Sequence, residues 1–182
     1  MLETVGFMEF NSIAKGIEAA DAVLKTAAVE LVFSRSGCPG KYYLLFTGDV
    51  SAVQASLDAA ERLAGDHLVD KCLIPRVHPQ VIRAIHMTAM PEEMRSVGVM
   101  EYFSVTASIY SADAAVKAAD VDLVDIRLGT GIGGKSFVVL TGEVAAVQSA
   151  VDAGTPTPAA EGMLVESVVI PSPHPDLLET LL

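Results

Sequence analysis

The sequence predicts an α+β fold in which two homologous domains, each with the element order β-α-β-β-α-β-α, follow one another along the chain. Three observations lead to this prediction. The second half repeats the first, hydrophobic residues in both halves follow strand-like and helix-like spacings in the same order, and 182 residues allow two domains of about 90 residues each. A sheet with helices on its faces is the architecture that this element order favours.

The repeat is visible at nearly constant offsets. Val5-Gly6-Phe7-Met8-Glu9 recurs as Val97-Gly98-Val99-Met100-Glu101, and Ala20-Asp21-Ala22 recurs as Ala112-Asp113-Ala114, both at an offset of 92 residues. The offset becomes 94 after a glycine-rich loop and 96 near the end of the unit. Because these length changes fall in loops, we interpret the two halves as homologous copies. The sequence therefore predicts a first domain at 1–88, a linker at 89–96 and a second domain at 97–182.

Strands in the first copy are predicted where β-branched, aromatic and aliphatic residues cluster between turn residues. These segments are 3–10, 30–36, 41–47 and 68–74. The two middle strands flank a short glycine-containing loop, so this loop is expected to be the tip of a hairpin.

Helices are predicted from apolar residues at helical spacing and from capping residues. Ser12 is the expected N-cap of a helix that runs through about Ala28, with one apolar face formed by Ile13, Ile17, Ala20, Leu24 and Ala27. Asp49 is the expected cap of a second helix, whose apolar stripe is Val53, Leu57 and Ala60. A short helix follows near Val81–Ile85. In the second copy the middle helix should end at Gly154, because proline cannot continue a helix and two prolines follow.

Composition excludes several classes of function. A formal net charge of −11 argues against nucleic-acid binding, which requires clustered lysine and arginine. No apolar run approaches the roughly 18 residues of a membrane span, and the N-terminal residues lack the pattern of a signal peptide. Two cysteines far apart in sequence do not form a disulfide framework. No Ser/His/Asp arrangement indicates catalysis, so we expect a cytosolic protein that is not an enzyme.

Two related hairpin loops differ in their chemistry. The first copy reads Ser36-Gly37-Cys38-Pro39-Gly40-Lys41, in which glycine and proline are expected to expose the thiol. The second copy has Gly129–Lys135, which contains more glycine and no cysteine. This second loop lacks the Walker spacing and leads into a strand at 137–140, so a phosphate site is disfavoured. We expect the following residues to line an axis or pore: Ser36, Gly37, Pro39, Gly40, Gly131, Ile132, Gly133 and Gly134.

Four motifs resemble those of bacterial microcompartment shell proteins. They are the Ala-Asp-Ala-x-x-Lys helix, the glycine-rich hairpin, Thr-Gly-Asp/Glu-Val and Ile-Pro-x-x-His-Pro, and each occurs twice. Tandem-domain members of that family form trimers that imitate a six-domain tile. The resemblance therefore implies a homotrimeric, pseudo-hexameric tile in the shell of a cytoplasmic microcompartment, with other shell proteins as partners.

The Cys38-Pro39-Gly40-Lys41 motif is similar to that of tandem-domain shell proteins from propanediol-utilisation compartments. In those relatives the cysteine binds an iron–sulfur cluster at the trimer centre. The resemblance implies one 4Fe-4S cluster per trimer with three Cys38 ligands, a role in electron or cluster transfer across the shell, and encapsulated redox enzymes as further partners.

The residues alone leave the role of Cys38 open. Iron–sulfur clusters use about four ligands, and the other cysteine, Cys72, lies in a predicted apolar strand. A closed three-fold ring would bring three Cys38 thiols to one axis, where the amides of Gly37 and Gly40 are expected to donate to sulfur. One alternative is a metabolite-conducting tile with an open pore and a free Cys38 thiol. A second alternative is a soluble redox enzyme.

The resemblance also assigns residues to the tile edge. Lys25 and Lys117 end equivalent helices, where a lysine is also simply favourable with the helix dipole. The other residues that the resemblance places at the edge are Arg76, His78 and His174. The second copy has Ser172 in the place of Arg76, which departs from the pattern.

Overall fold

The computed structural model describes residues 4–89, 91, 93–157 and 160–181, with Thr180 described by its backbone alone. Residue 3 of the first predicted strand, Met90 and Glu92 of the predicted linker, and Pro158 after the shortened helix lie outside the described residues.

The predicted element order is confirmed in both copies. The first copy contains β1 (Thr4–Phe10), α1 (Ile13–Thr26), β2 (Val29–Gly37), β3 (Lys41–Gly48), α2 (Val50–Ala64), β4 (Leu68–Ile74) and α3 (Pro79–Ile85), with one 3-10 turn, Gly65–His67, before β4. The second copy contains β5 (Ser96–Tyr102), α4 (Val105–Ala118), β6 (Val121–Leu128), β7 (Ser136–Gly142), α5 (Val144–Gly154), β8 (Leu164–Ile170) and α6 (Pro175–Leu181).

The chain divides into two compact units that do not follow the repeat in every detail. The first unit is Met1–Val77 together with the loop Gly129–Gly134. The second unit is His78–Leu128 together with Lys135–Leu182, so it includes α3, which belongs to the first copy by sequence. The sequence boundaries of the two domains stay a prediction.

The first unit is an antiparallel sheet in the order β2-β3-β1-β4, with α1 and α2 packed against it. The predicted stripe of α2 is confirmed, because Val53, Leu57 and Ala60 are all buried. Ser12 caps α1 as predicted and accepts a hydrogen bond from the Lys15 amide at 3.3 Å. Asp49 stands at the N-cap position of α2, but its carboxylate makes no capping hydrogen bond.

The predicted apolar face of α1 is wrong as a core face. Small residues face the sheet instead, and the buried members of α1 are Gly16, Ala19, Ala20 and Val23. Of the predicted face only Ala20 is among them, while Ile13, Ile17 and Leu24 are exposed. Small side chains allow the helix to approach the sheet closely, and the large aliphatic residues are left on the opposite side.

The second unit repeats this architecture with the strand order β6-β7-β5-β8. Helices α4 and α5 pack on its sheet, and α3 packs against β6 and α4 with Val81, Ala84 and Ile85 buried. The early end of α5 at Gly154 is confirmed. Among the described residues, no helix combines the length and apolar character needed to cross a membrane.

Candidate functional site

Cys38 lies at the tip of the hairpin formed by β2 and β3, as predicted. The strands pair in antiparallel register up to Gly37 opposite Lys41. The Gly40 amide donates to the Gly37 carbonyl at 3.0 Å, which closes a tight turn, and the Cys38–Pro39 peptide bond is cis. Cys38 is half-buried, whereas Pro39 and Gly40 are exposed. The turn therefore holds the thiol at the surface of the first unit.

Tyr43 is hydrogen-bonded to this turn and is not among the site residues predicted from the sequence. Its ring is fully buried, and its hydroxyl donates a hydrogen bond to the Cys38 carbonyl at 3.2 Å. Burial, followed by the negative charges of Glu9 and Cys38, raises the pKa of the Tyr43 hydroxyl above its usual value. The hydroxyl consequently stays protonated and remains a donor. The second copy has Phe137 at the equivalent position. This difference between tyrosine and phenylalanine is the feature of the sequence that could have identified Tyr43 as part of the site.

A buried ion pair lies next to Tyr43. The ammonium group of Lys41, the last residue of the predicted motif, binds the carboxylate of Glu9, which is fully buried on β1. Glu9 is also directly opposite Tyr43 in the β1–β3 register. The second copy repeats the pair as Lys135 and Glu101, 2.9 Å apart, but both side chains are partly exposed. The ion pair at the base of the hairpin is thus more deeply buried in the first copy.

The glycine-rich loop of the second copy meets Cys38 within the first unit. The Gly131 amide donates to the Cys38 Sγ at 3.4 Å. Gly134 is buried and packs closely against Pro39. A Cβ added at Gly134 would lie only 2.7 Å from the proline Cδ. The expectation that the Gly40 amide donates to the sulfur is wrong, because this amide donates to the Gly37 carbonyl instead. Among the described residues Gly131 is the amide that donates to the Cys38 sulfur, and sequence reasoning missed it because a backbone amide has no side-chain signature.

The thiols of one chain do not form a complete metal site. The described residues contain no group of three or more His, Cys, Asp or Glu side chains that could hold a metal ion. Cys38 forms no disulfide, and Cys72 is buried in β4 as predicted. One chain therefore offers a single surface thiol. Thiolate sulfur that accepts an amide N–H is a suitable donor for an iron–sulfur cluster, but only if other chains add further ligands.

The two lysines proposed for the edge have different surroundings. Lys25 pairs with Asp21 at 2.6 Å, and both side chains are largely exposed. Lys117 pairs with Asp113, which is buried and accepts the His78 amide at 2.8 Å with its other oxygen. The structure therefore brings Lys117 and His78 together through one carboxylate. Burial, and then the positive charges of Lys117 and Arg83, lower the pKa of His78, and Asp113 opposes them.

The remaining predicted edge residues are on the surface. Arg76 is exposed after the end of β4, and His174 is exposed at the start of α6. The His174 ring accepts the Asp176 amide at 3.3 Å, as the His78 ring accepts the Gln80 amide at 3.4 Å. The two His-Pro segments therefore begin their helices in the same way.

Comparisons with known proteins agree with the repeat. The sequence model of the BMC domain matches the chain twice, at residues 4–77 and 96–173. The chain is 44% identical over 174 residues to the bacterial microcompartment shell protein PduT of Citrobacter freundii, an alignment that covers 96% of this chain and 95% of that protein.

Two solved structures have the same fold. A microcompartment protein from Desulfitobacterium hafniense DCB superposes with a TM-score of 0.88 at 50% identity, covering 98% of this chain and 99% of that one. A fused permuted hexameric shell protein from the RMM microcompartment superposes with a TM-score of 0.64 at 26% identity, covering 88% and 82%.

Proposed function

Because the chain belongs to the BMC-domain family of bacterial microcompartment shell proteins, we propose that it forms a trimeric, pseudo-hexameric tile that holds a 4Fe-4S cluster at its centre. Its relatives are structural shell proteins, and the chain is a shell component rather than an enzyme. The observation that carries the cluster proposal is the surface thiol of Cys38, whose sulfur accepts an amide hydrogen bond from the glycine-rich loop.

The trimer follows from the duplication. One solved relative is described as a fused hexameric shell protein, and each chain here has two BMC domains. Three chains supply the six domains of a hexagonal tile, and a closed ring gives each hairpin loop an equivalent position around one axis. Light scattering should therefore report three chains per particle. A stable monomer at micromolar concentration would remove the basis for a shared site.

Cys38 fits an axial cluster by its chemistry and number. Three chains contribute three thiolates, which bind three irons of a cubane and leave the fourth for water or another small ligand. When bound, such a cluster supplies reversible one-electron chemistry. The Gly131 N–H, already directed at Sγ, stabilises the negative charge on a thiolate ligand and adjusts its potential. Tyr43 and the Lys41–Glu9 pair fix the turn that presents the sulfur.

A redox group at the centre of a shell tile is suited to transfer across the shell. We propose that the cluster passes electrons, or is itself delivered, between the two sides of the shell, with encapsulated redox enzymes as partners. Both roles require the cluster to be reached from the axial opening. Cys38 is at the protein surface, which is consistent with that requirement.

The two cysteines allow a matched test. Protein prepared without oxygen should show broad visible absorption and contain one cubane per trimer, about four irons per three chains. Cys38→Ser should abolish colour and iron while the trimer persists. Cys72→Ser should keep both, because Cys72 is buried in β4. Colour that survives the loss of Cys38 would contradict the assignment, and a colourless anaerobic trimer would favour the open-pore tile.

We propose further that Lys25, Lys117, Arg76, His78 and His174 lie along the edge between tiles. A double variant with Lys25→Ala and Arg76→Ala removes two exposed positive charges. Alanine introduces no negative charge that would repel neighbouring carboxylates such as Asp21. Lys117 is left unchanged because its carboxylate partner also binds His78. The double variant should remain trimeric but form no two-dimensional sheets in electron micrographs. Lys15→Ala, at a lysine paired with Glu18 elsewhere on α1, is the control. Normal sheets from the double variant would refute the edge assignment.

A further inference from the structure

A small cavity lies beside β6 in the second unit. It has a volume of about 80 Å³. Its walls come from the segment that follows α3, from β6 and from the end of α6, and the lining residues are Met87, Ala89, Val124, Asp125, Arg127 and Leu181. Four of these side chains are apolar, and the other two carry opposite charges. The cavity therefore combines aliphatic walls with a single ion pair.

Asp125 supplies the polar part of the cavity and is only 7% exposed. Its Oδ2 atom accepts the Nε–H and Nη2–H groups of Arg127 at 2.9 and 2.7 Å. Its other oxygen, Oδ1, is buried and accepts no hydrogen bond from the described residues. Buried polar atoms are almost always hydrogen-bonded. Oδ1 is therefore an acceptor that lacks its donor.

The first copy has an aromatic residue where the second copy has this carboxylate. Phe33 corresponds to Asp125, because both residues follow the bulge at the same register position of their strands. The Phe33 ring packs edge-on against Phe7, with the ring centroids 6.3 Å apart. Val99 takes the place of Phe7 in the second copy. Two aromatic rings are thus exchanged for a smaller aliphatic side chain and a carboxylate, which reduces the side-chain volume and adds an acceptor.

The walls determine which molecules the cavity can accept. At about 30 Å³ per water molecule, it has room for two or three waters or for an organic molecule of roughly four non-hydrogen atoms. A buried water needs about two to four polar partners, which the aliphatic walls at Met87, Val124 and Leu181 do not supply. Arg127 already compensates the charge of Asp125, so a cation would add uncompensated charge and an anion would meet the carboxylate. An uncharged molecule with one donor and a short hydrocarbon part suits both kinds of wall.

We propose that this cavity binds a small uncharged molecule that carries a hydroxyl group on a short hydrocarbon chain. The hydroxyl donates to Asp125 Oδ1, and the hydrocarbon part packs against Val124 and Leu181. The Cβ–Cγ torsion of aspartate is soft, so Oδ1 can turn toward the donor while Arg127 keeps Oδ2. Met87 is 68% exposed, and the Arg127 side chain is 43% exposed, so the molecule enters beside them. Such a site needs neither the proposed cluster nor the proposed trimer.

Three molecules with the same carbon skeleton test this chemistry on the unmodified full-length protein. Propan-2-ol has a hydroxyl donor, acetone has only an acceptor, and isopropylammonium has a charged donor. In methyl NMR spectra, Val124 and Leu181 should show saturable shifts with propan-2-ol, with a dissociation constant of about 1–10 mM. The methyl groups of Leu57, in the core of the first unit, should not shift.

The order of affinities decides the class of molecule. Acetone should bind about tenfold more weakly than propan-2-ol, because it has no proton to donate to Oδ1. Isopropylammonium should also bind more weakly, because Arg127 already neutralises the carboxylate. Equal binding of acetone, tighter binding of isopropylammonium, or the absence of saturable shifts with propan-2-ol would each overturn the proposal.

Variants of Asp125 test the position of the site. Asp125→Leu keeps the branched shape of the side chain and removes the acceptor, so the preference for propan-2-ol over acetone should fall to within about twofold. Asp152→Leu, at an exposed aspartate on α5, should keep the full preference. Asp125→Phe introduces the residue of the first copy and should abolish binding of both molecules. Circular dichroism checks that each variant is folded, and a preference that survives Asp125→Leu would refute the site.

Discussion

Replacing Lys41 with methionine should destabilise the protein far more than replacing Lys135, although the two lysines occupy equivalent places in the repeat. Lys41 is 19% exposed and binds Glu9, whose side chain is fully buried. Lys135 is 42% exposed, and its partner Glu101 is 35% exposed. Methionine keeps most of the aliphatic length of lysine, so each substitution removes the charge with little change in packing. The comparison isolates the effect of burial on one ion pair.

The expected difference follows from the desolvation of the remaining carboxylate. Removal of one partner from a buried ion pair costs about 3–5 kcal/mol, because an uncompensated charge stays buried. Removal of one partner from a largely solvated pair costs about 0–1 kcal/mol. Lys41→Met should therefore lower the free energy of unfolding by about 3 kcal/mol more than Lys135→Met does.

Urea denaturation at one protein concentration measures both values, and equal concentrations are needed because assembly contributes to apparent stability. The unmodified protein provides the reference slope. If the two variants differ by less than about 0.5 kcal/mol, then Glu9 is not desolvated as the structure indicates, and the contrast between the two hairpin bases is wrong.

Three further predictions concern the core and the hairpin. Leu57→Ala should cost about 2–5 kcal/mol because Leu57 is buried in the first-unit core, whereas Val50→Ala, on the exposed side of the same helix, should cost less than about 0.5 kcal/mol in the same denaturation assay. Gly37→Ala should perturb the near-ultraviolet circular dichroism of tyrosine, because its Cβ would lie 2.1 Å from the buried Tyr43 ring, and an unchanged spectrum would contradict this contact. The free energy of unfolding should fall as the pH rises above 10.0, the usual tyrosine pKa. Burial raises the pKa of Tyr43 and Tyr102 in the folded protein, so these two hydroxyls lose their protons first in the unfolded chain. Denaturation at pH 9 and 11, together with the absorbance of phenolate, checks this prediction.

The element order and the position of the cysteines were accessible from sequence because they depend on local chemistry. Turn residues bracket the strands, Ser12 stands before the first helix, and Gly154 precedes the prolines that end the fifth. The repeat strengthened each assignment, since every element had to occur twice. The burial of Cys72 followed for the same reason, from its place in an apolar strand.

The orientation of α1 could not be predicted because both sides of the helix are apolar. Ile13, Ile17 and Leu24 form the more hydrophobic side, but Gly16, Ala19 and Val23 form the side that fits against the sheet. Hydrophobic periodicity reports which residues avoid water, not whether the core or another subunit covers them. A comparison between the copies reveals the difference only after the burial of each position is known.

The contact of Gly131 with Cys38 could not be predicted for a different reason. The two residues are 93 positions apart, and the donor is a backbone amide that any non-proline residue possesses. Its direction depends on how the two loops meet, which no local pattern specifies. Glycine content alone suggested only a close approach of backbones, and that approach is realised where Gly134 lies against Pro39.

Fusion of two copies in one chain allows the two hairpin loops to differ in sequence, which a ring of six identical domains does not allow. In a ring of identical domains every axial loop is the same, so the axis would carry six cysteines or none. In the proposed trimer, alternation of two loop types would give three thiols, the number that could bind a cubane while leaving one iron for an external ligand. The loop without a cysteine contacts the loop that carries Cys38. Gly131 donates to the sulfur, and Gly134 leaves room for Pro39, where a side chain would collide. The contact with the first loop thus explains the glycine at position 134, whereas Gly129, Gly131 and Gly133 have φ angles of 61°, 77° and 67°, which favour glycine. The difference between the loops is what the proposed site requires.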